Sequence, residues 1–352
     1  MKQLVYRILF FLRIFRIINL VFCRNKIAIL MYHGFSDTGY HKGIENSSHN
    51  HVYIEYFKQQ VRFLNKYYNV ISLNEALEIL RSGSRFKNNT IVMTIDDGYK
   101  SVFSLAFPVL KEFGVQATVF CTTNFIRDRA FLWGDRLEYA INTTKEKRMS
   151  LRFGDENIAI SLSGTREKAE ALALVKAQLK KGDPAGIPGT LNTIEQDLQA
   201  CLDSDAAFPS LYLPLETSHI KEMEKSELVS FGAHTASHAI LSRCTIEQME
   251  KELKESKSFL GSALHAQVNL FCYPNGQKVD FNDLTAGMVK KTGFICAVTT
   301  IDGMNNPKTN LYELRRYWVR STIRTIPEFA LLICGFLSFM ERMKIKLLGL
   351  FS

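Results

Sequence analysis

The chain has 352 residues, 46% of them apolar, and a formal net charge of +9. That length allows one large α/β unit or two smaller ones, since single cores stop growing near roughly 250–300 residues. The seven cysteines are odd in number and form no C-x-x-C pair, which argues against a disulfide framework or a zinc ribbon and for a reducing compartment.

Residues 1–26 carry Lys2, Arg7, Arg13, Arg16, Arg24 and Lys26 with no Asp or Glu. At about 100° per helical residue, Lys2, Arg13, Arg16 and Arg24 fall within one arc of roughly 80°, and Ile8, Phe11, Phe15, Ile18 and Phe22 cover most of the remainder. The pattern predicts one basic amphipathic helix over 1–25, lying on a membrane with its cations over anionic headgroups. The same stripe would also suit a helix packed on the domain with its cations merely solvated. The uncharged run from Ile17 to Cys23 is far short of the ~20 residues of a span, and no small-residue cleavage site follows. The expected location is therefore cytoplasmic, peripheral on the inner face of the membrane, without a signal peptide. Nucleic acid is not an expected partner, because the excess cations sit at apolar termini rather than on a polar patch with interleaved aromatics.

From Lys26 onward, apolar runs rich in Val, Ile and Phe alternate with helix-like stretches, the signature of a mostly parallel sheet with helical crossovers. Strands are predicted at 27–33, 90–96, 116–123, 228–235, 269–274, 294–300 and 311–319, and helices at 53–68, 73–82, 101–113, 245–264 and 283–292. These runs suit a barrel over 26–141 and 219–322. The repetition breaks between, where polar, helix-prone text and the Gly/Pro hinge at 181–189 predict a helical insertion over 142–218, a lid or recognition lobe. Residues 323–352 read as an apolar C-terminal helical segment, with an uncharged stretch from Phe329 to Met340 before Arg342, Lys344 and Lys346. It would either meet the same membrane or close the bottom of the fold.

The chemistry lies where polar residues interrupt strands. Asp96 and Asp97 follow the run IVMTI, and His234 with His238 follows LVSFGA, so both sets fall at strand C-terminal ends, where parallel α/β folds build sites. Adjacent carboxylates repel unless a cation or proton is shared, and H-x-x-x-H lets two imidazoles point the same way. One Asp and two His make a three-ligand set with open positions, suited to zinc, cobalt or nickel and able to acidify a water. A lone D-D-G or H-x-x-x-H is a weak signal; their joint placement at strand ends is the informative fact.

In order, LMYHGF (30–35), TIDDGY (94–99), HTASH (234–238), FCYPNG (271–276) and ELRRYWV (313–319) resemble the polysaccharide deacetylase family, carbohydrate esterase family 4, with its NodB-homology domain. The resemblance covers about residues 26–320 outside the insertion. It implies a distorted (β/α) barrel of seven or eight strands and metal-dependent hydrolysis of the N-acetyl group of an amino sugar in a polysaccharide or lipid-linked glycan, with Zn2+ the expected ion. It also implies Asp96 as general base, Asp97, His234 and His238 as metal ligands, and the backbone N–H of Asn275 as oxyanion donor.

Two features depart from the family pattern. Cys272 stands where an arginine often orients the base, so Arg315 or Arg316 is expected to take that role, one of the two facing inward by strand alternation. No histidine follows His265, which leaves the late general-acid histidine of many members unmatched. His33, Tyr99, Tyr273 and Trp133 are candidate substrate contacts, Trp133 as a sugar-stacking platform. A deformylase or other linear-amide hydrolase, and a non-catalytic carbohydrate-binding relative, are the alternatives the motifs leave open.

Overall fold

The computed structural model describes residues 2–129, 131–153, 156–200, 209–340 and 343. The chain opens with α1 (Lys2–Phe11) and α2 (Ile14–Phe22), then runs through β1 (Ala28–Tyr32), β2 (Gly34–Ser36), β3 (His51–Tyr53), α3 (Ile54–Tyr67), β4 (Asn69–Val70), α4 (Leu73–Ser82) and β5 (Thr90–Ile95). After α5 (Phe107–Phe113), β6 (Ala117–Cys121) and α6 (Thr123–Asp128) come α7 (Trp133–Thr143), β7 (Arg148–Phe153), β8 (Glu156–Ser161), α8 (Thr165–Leu179) and α9 (Ile187–Asp197). The described order ends with α10 (Thr217–Lys225), β9 (Val229–Ala233), α11 (Ile246–Leu264), β10 (Leu270–Cys272), α12 (Asp283–Lys291), β11 (Cys296–Val298), β12 (Tyr317–Trp318) and α13 (Ile326–Ile333).

The main sheet has the strand order β11-β10-β9-β6-β5-β1-β12, with β4 beside the start of β5. Its pairs are all parallel. Every residue of β1 and β5 is buried, as expected of parallel strands covered on both faces. The sheet curls because the segment after β11 returns to β1. Thr299 N–H donates to the Leu314 carbonyl, and then Tyr317 and Trp318 pair with Leu30 and Met31. The seven-strand path is the expected distorted (β/α) barrel, but its last strand is two residues long rather than nine, since 311–316 is spent crossing that gap. Local signals hold elsewhere: Ser72 caps α4 by accepting from Glu75 N–H, and Thr245 with Gln248 forms a capping box on α11.

A second core, away from the barrel, joins Leu137 and Ile141 of α7 to Leu151, Leu172, Val175, Leu191 and Ile194. This lobe differs from the purely helical insertion expected over 142–218. It recruits α7, which precedes that range, and it contains the antiparallel hairpin β7–β8. The hairpin follows from a period of two inside polar text, which buries Met149, Leu151 and Ile160 on one face.

The N-terminal segment is also not one helix. It breaks at Arg13, whose φ of 56° is left-handed, and the break separates Phe11 from Phe15, which a straight helix would hold on one face. Phe15 turns inward to 4% exposure against Phe63 and Tyr67, while Phe11 stays 84% exposed. Leu4, Val5, Ile8, Leu12, Ile17, Leu20 and Val21 are exposed beside Arg7, Arg13, Arg16 and Arg24, so the basic residues do not form the single stripe expected. The side chains of Lys2 and Phe22 lie outside the described residues, as do Arg342, Lys344 and Lys346. Among the described residues no helix is long and apolar enough to cross a membrane.

Candidate metal centre and active site

β1, β5, β9, β10 and β12 end on the same edge of the barrel, and the residues that follow them converge there. Asp96 and Asp97 leave β5, His234 leaves β9, and His238 returns from the turn beyond it. Four of these site positions hold left-handed backbone, with φ of 74° at Asp97, 61° at Thr235, 62° at His238 and 59° at Asn275. For a β-branched residue such as Thr235 that region is an outlier, and such strain persists where the surroundings over-determine the geometry. Thr235 is held by its hydroxyl, which donates to the His234 carbonyl and accepts from Ala239 N–H. The turn is clamped from outside by Glu252, which accepts from the N–H groups of Ala236 and Ser237 and from the Ser237 hydroxyl.

His234 Nε2 and His238 Nε2 each lie 3.4 Å from Asp97 Oδ1. These contacts are too long for good hydrogen bonds, and Asp97 Oδ1 is buried with no hydrogen-bond partner. Two ligand atoms about 2.1 Å from a tetrahedral ion lie roughly 3.4 Å apart, so the spacing is that of three ligands awaiting one cation. His234 Nδ1 sits 2.8 Å from the Cys272 carbonyl, to which it donates, leaving the Nε2 lone pair facing Asp97. Burial opposes the charge on Asp97, yet the imidazoles of His234, His238 and His33 outweigh it and hold the carboxyl well below the usual range. The donor set therefore fits a divalent metal. Its ligand atoms all lie within 4.8 Å of one another.

Asp96 points to the other side of the group. Arg316, fully buried, donates through Nη1 to Asp96 Oδ1 and through Nη2 to Oδ2, both at 2.7 Å. The same guanidinium reaches Thr94 Oγ1, the Thr299 carbonyl and Cys272 Sγ, which leaves it fully engaged. Burial acts against the Asp96 carboxylate, but Arg316 overcomes it and keeps the group ionised, its pKa below the ordinary value. Of the two candidate arginines, then, Arg316 faces Asp96. Arg315 is exposed and lies along Gly303. Cys272 contributes a thiol 3.4 Å from Asp96 Oδ2, where the guanidinium would otherwise have come from.

Asn275 sits in a turn that only glycine can complete: a Cβ on Gly276 would stand 2.8 Å from Thr300 N. Thr300 Oγ1 donates to the Asn275 carbonyl, and among the described residues the Asn275 N–H has no acceptor. A free backbone donor in the turn after β10 is the kind of group oxyanion stabilisation uses.

The candidate substrate contacts divide. His33 ends β1 beside Asp96 and Asp97, its Nδ1 buried without a partner, and burial lowers its pKa and keeps it neutral. Tyr99 does not reach the opening. It is 1% exposed, stacks edge-on to Phe125, and donates to Asp135 Oδ2 at 2.7 Å. Tyr273 is buried in the barrel core, stacked on Phe281, and Trp133 packs against the lobe core. The aromatic that sequence reasoning passed over is Trp318, half-buried, with its ring 5.7 Å from His33 and Arg320 Cζ 4.1 Å above it. Its place two residues after Arg316 within the run expected as the last strand, and hence on the same face by alternation, was the available signal.

A family model described as polysaccharide deacetylase matches residues 83–297. The Bacillus subtilis (strain 168) protein YxkH is 21% identical over 292 residues, covering 83% of this chain and 70% of that relative. Among solved structures, the Streptococcus pyogenes deacetylase PplD in complex with acetate matches with a TM-score of 0.56 at 20% identity, over 88% of this chain and 98% of PplD. BC0361, a polysaccharide deacetylase from Bacillus cereus, matches with a TM-score of 0.56 at 22% identity, over 88% of this chain and 69% of its own. At these identities the structural likenesses speak to the fold.

Proposed function

The chain belongs to the polysaccharide deacetylase family, and on that premise we propose that it is a metal-dependent hydrolase that removes the N-acetyl group of an amino sugar in a polysaccharide or lipid-linked glycan. The observation that carries the reading is the separation of the two adjacent carboxylates into two roles. Asp97 faces two imidazole nitrogens at 3.4 Å, whereas Asp96 is fixed by a bidentate guanidinium. Structural ion pairs have no need of both arrangements at one strand end.

Asp97, His234 and His238 would hold the ion, with Zn2+ the expected species and Co2+ or Ni2+ compatible with the donors. When bound, the ion supplies Lewis acidity toward an amide oxygen and a water. Asp96 accepts the water's proton, its free lone pairs aimed by Arg316, and the low pKa keeps it in the accepting form. The Asn275 N–H stabilises charge developing on the acyl oxygen. The amine leaving group needs a proton, and the one Asp96 has taken from the water can return to it, with His33, an imidazole outside the ligand set that senses both carboxylates, on the same edge.

The exposed apolar residues of α1 and α2, interspersed with four arginines, support peripheral attachment to an anionic membrane surface. That location suits a glycan held on a lipid carrier.

Acetate release from N-acetylated oligosaccharides, measured together with metal content, tests the reading. Asp97→Ala should lose both metal and turnover, and Asp96→Asn should keep the metal and lose turnover. Full activity in Asp96→Asn, or in metal-stripped protein, would overturn it.

A further inference from the structure

Beyond β12 the rim carries a cationic cluster that the chemistry above does not use. Arg320 places its guanidinium carbon 4.1 Å from the centre of the Trp318 ring, a cation–π contact that leaves its N–H groups without a carboxylate partner among the described residues. Arg324 is one turn of chain farther on. Both act on His49, whose pKa burial and the two guanidiniums lower, and Ser321 ties the two segments by donating its N–H to the His49 carbonyl. Both arginines are exposed, and among the described residues neither has a carboxylate partner. Glu138, the acid that acts on the same His49, is already engaged by Asn46 N–H, Ser47 Oγ, Tyr212 Oη and Lys176 Nζ.

The cluster sits between the catalytic edge and the N-terminal helices. On one side Trp318 leads through His33 to Asp96 and Asp97. On the other, Thr325, which follows Arg324, and Glu328 both meet Gln3 at the start of α1, next to exposed Leu4 and Val5. A ligand bound across this rim would place a sugar at the metal group, an anion at the arginines and an apolar chain along α1.

We propose that Arg320 and Arg324 form a subsite for a phosphate esterified to the amino sugar, so that the substrate class is an N-acyl amino sugar carried on a lipid phosphodiester. This rests on the hydrolase reading for the sugar but not for the anion. A guanidinium pair without carboxylate partners, beside an indole, suits a phosphodiester, which offers in-plane N–H groups two charged oxygens. The neutral rim of a site made for uncharged chitin-like chains has no need of two unpaired cations.

Binding, which requires no turnover, provides the test. Calorimetry would compare two probes: octyl N-acetylglucosaminyl phosphodiester, and octyl N-acetylglucosaminide without the phosphate. The native protein should bind the first at least tenfold more tightly at low salt, with inorganic phosphate competing weakly and added salt shrinking the gap. R320A/R324A should abolish most of that preference, and R320K/R324K should restore part of it. Equal affinity for the two probes in the native protein, or a preference that survives R320A/R324A, overturns the proposal. Phosphatidylglycerol vesicles separate a bilayer headgroup from a glycan phosphate. If R320A/R324A loses vesicle binding while the probe preference stays, the pair serves the membrane and the subsite is wrong. Probe preference without acetate release would sink the hydrolase reading and leave the anion subsite standing.

Discussion

Arg316 is the residue on which the arrangement of Asp96 depends. Its fork meets both oxygens of Asp96 in a fully buried setting, so the pair is paired charge rather than surface decoration. A lysine keeps the charge but offers one point rather than two fixed donors, and a carboxylate free to rotate loses its aim on the water. Arg316→Lys should therefore retain metal and lower kcat roughly hundredfold, the cost of a misplacement near 1 Å. Arg316→Met should instead leave Asp96 buried and unpaired, and lower unfolding stability by about 3–5 kcal/mol, read from the denaturant midpoint. An Arg316→Lys enzyme at native rate would show that the metal and strand geometry alone orient Asp96. Sequence reasoning reached this pair because strand alternation required one of two neighbours to face inward, though alternation could not say which. It missed the burial of Tyr99 and Tyr273, because an aromatic at a strand end reads the same whether a lobe covers it or water does. Here Asp135, brought in by α7, covers Tyr99.

At the scale of elements, the strands bearing the site were legible because each is a buried run closed by a polar residue, as at Ile95–Asp96 and Ala233–His234. The hairpin β7–β8 was not, since its period of two is only a few residues long and sits in polar text. The N-terminal break was illegible for a different reason: helical periodicity places Phe11 and Phe15 together, and only the packing surface offered by Phe63 and Tyr67 separates them. That separation gives two distinguishable substitutions. Phe15→Ala removes a buried ring and should destabilise by up to about 3–5 kcal/mol, seen as a lower melting temperature. The triple change Leu4→Ser, Ile8→Ser, Phe11→Ser touches exposed side chains and should leave the melt within about 0.5 kcal/mol of native. It should nevertheless abolish sedimentation with anionic liposomes, because apolar insertion and the arginines act together. Liposome binding that survives the triple change would remove the apolar face from the attachment, and binding absent in the native protein would remove attachment altogether.

At the scale of the whole molecule, the barrel and the lobe are joined through two acids on α7, Glu138 buried and Asp135 half-buried. Glu138 accepts from Asn46, Ser47 and Tyr212, and Asp135 accepts from Tyr99, two residues beyond Asp97. Burial, with Glu138 nearby, pushes Asp135 up to about 7 from 3.8, against the opposing hydrogen bond from Tyr99 and charge of Lys176. A carboxyl whose folded pKa is raised binds more protons folded than unfolded, so its favourable contribution is complete below about pH 4 and is lost as pH rises through about 7. At about 1.4 kcal/mol for each tenfold change in proton affinity, the loss is bounded at roughly 4 kcal/mol by pH 8. Asp135→Asn keeps an acceptor for the Tyr99 hydroxyl and cannot ionise. Its melting temperature should match the native protein near pH 4, exceed it increasingly from about pH 4 to 7, and keep a constant excess above that, the other titrating groups being common to both proteins. A difference between the two melting curves that stays flat across that window would show that Asp135 ionises freely in the folded state. The contact between Tyr99 and the lobe would then not be the buried joint described here. If the difference does open between about pH 4 and 7, the joint beside Asp97 loosens over that range, and the lobe should become more susceptible to proteolysis across it.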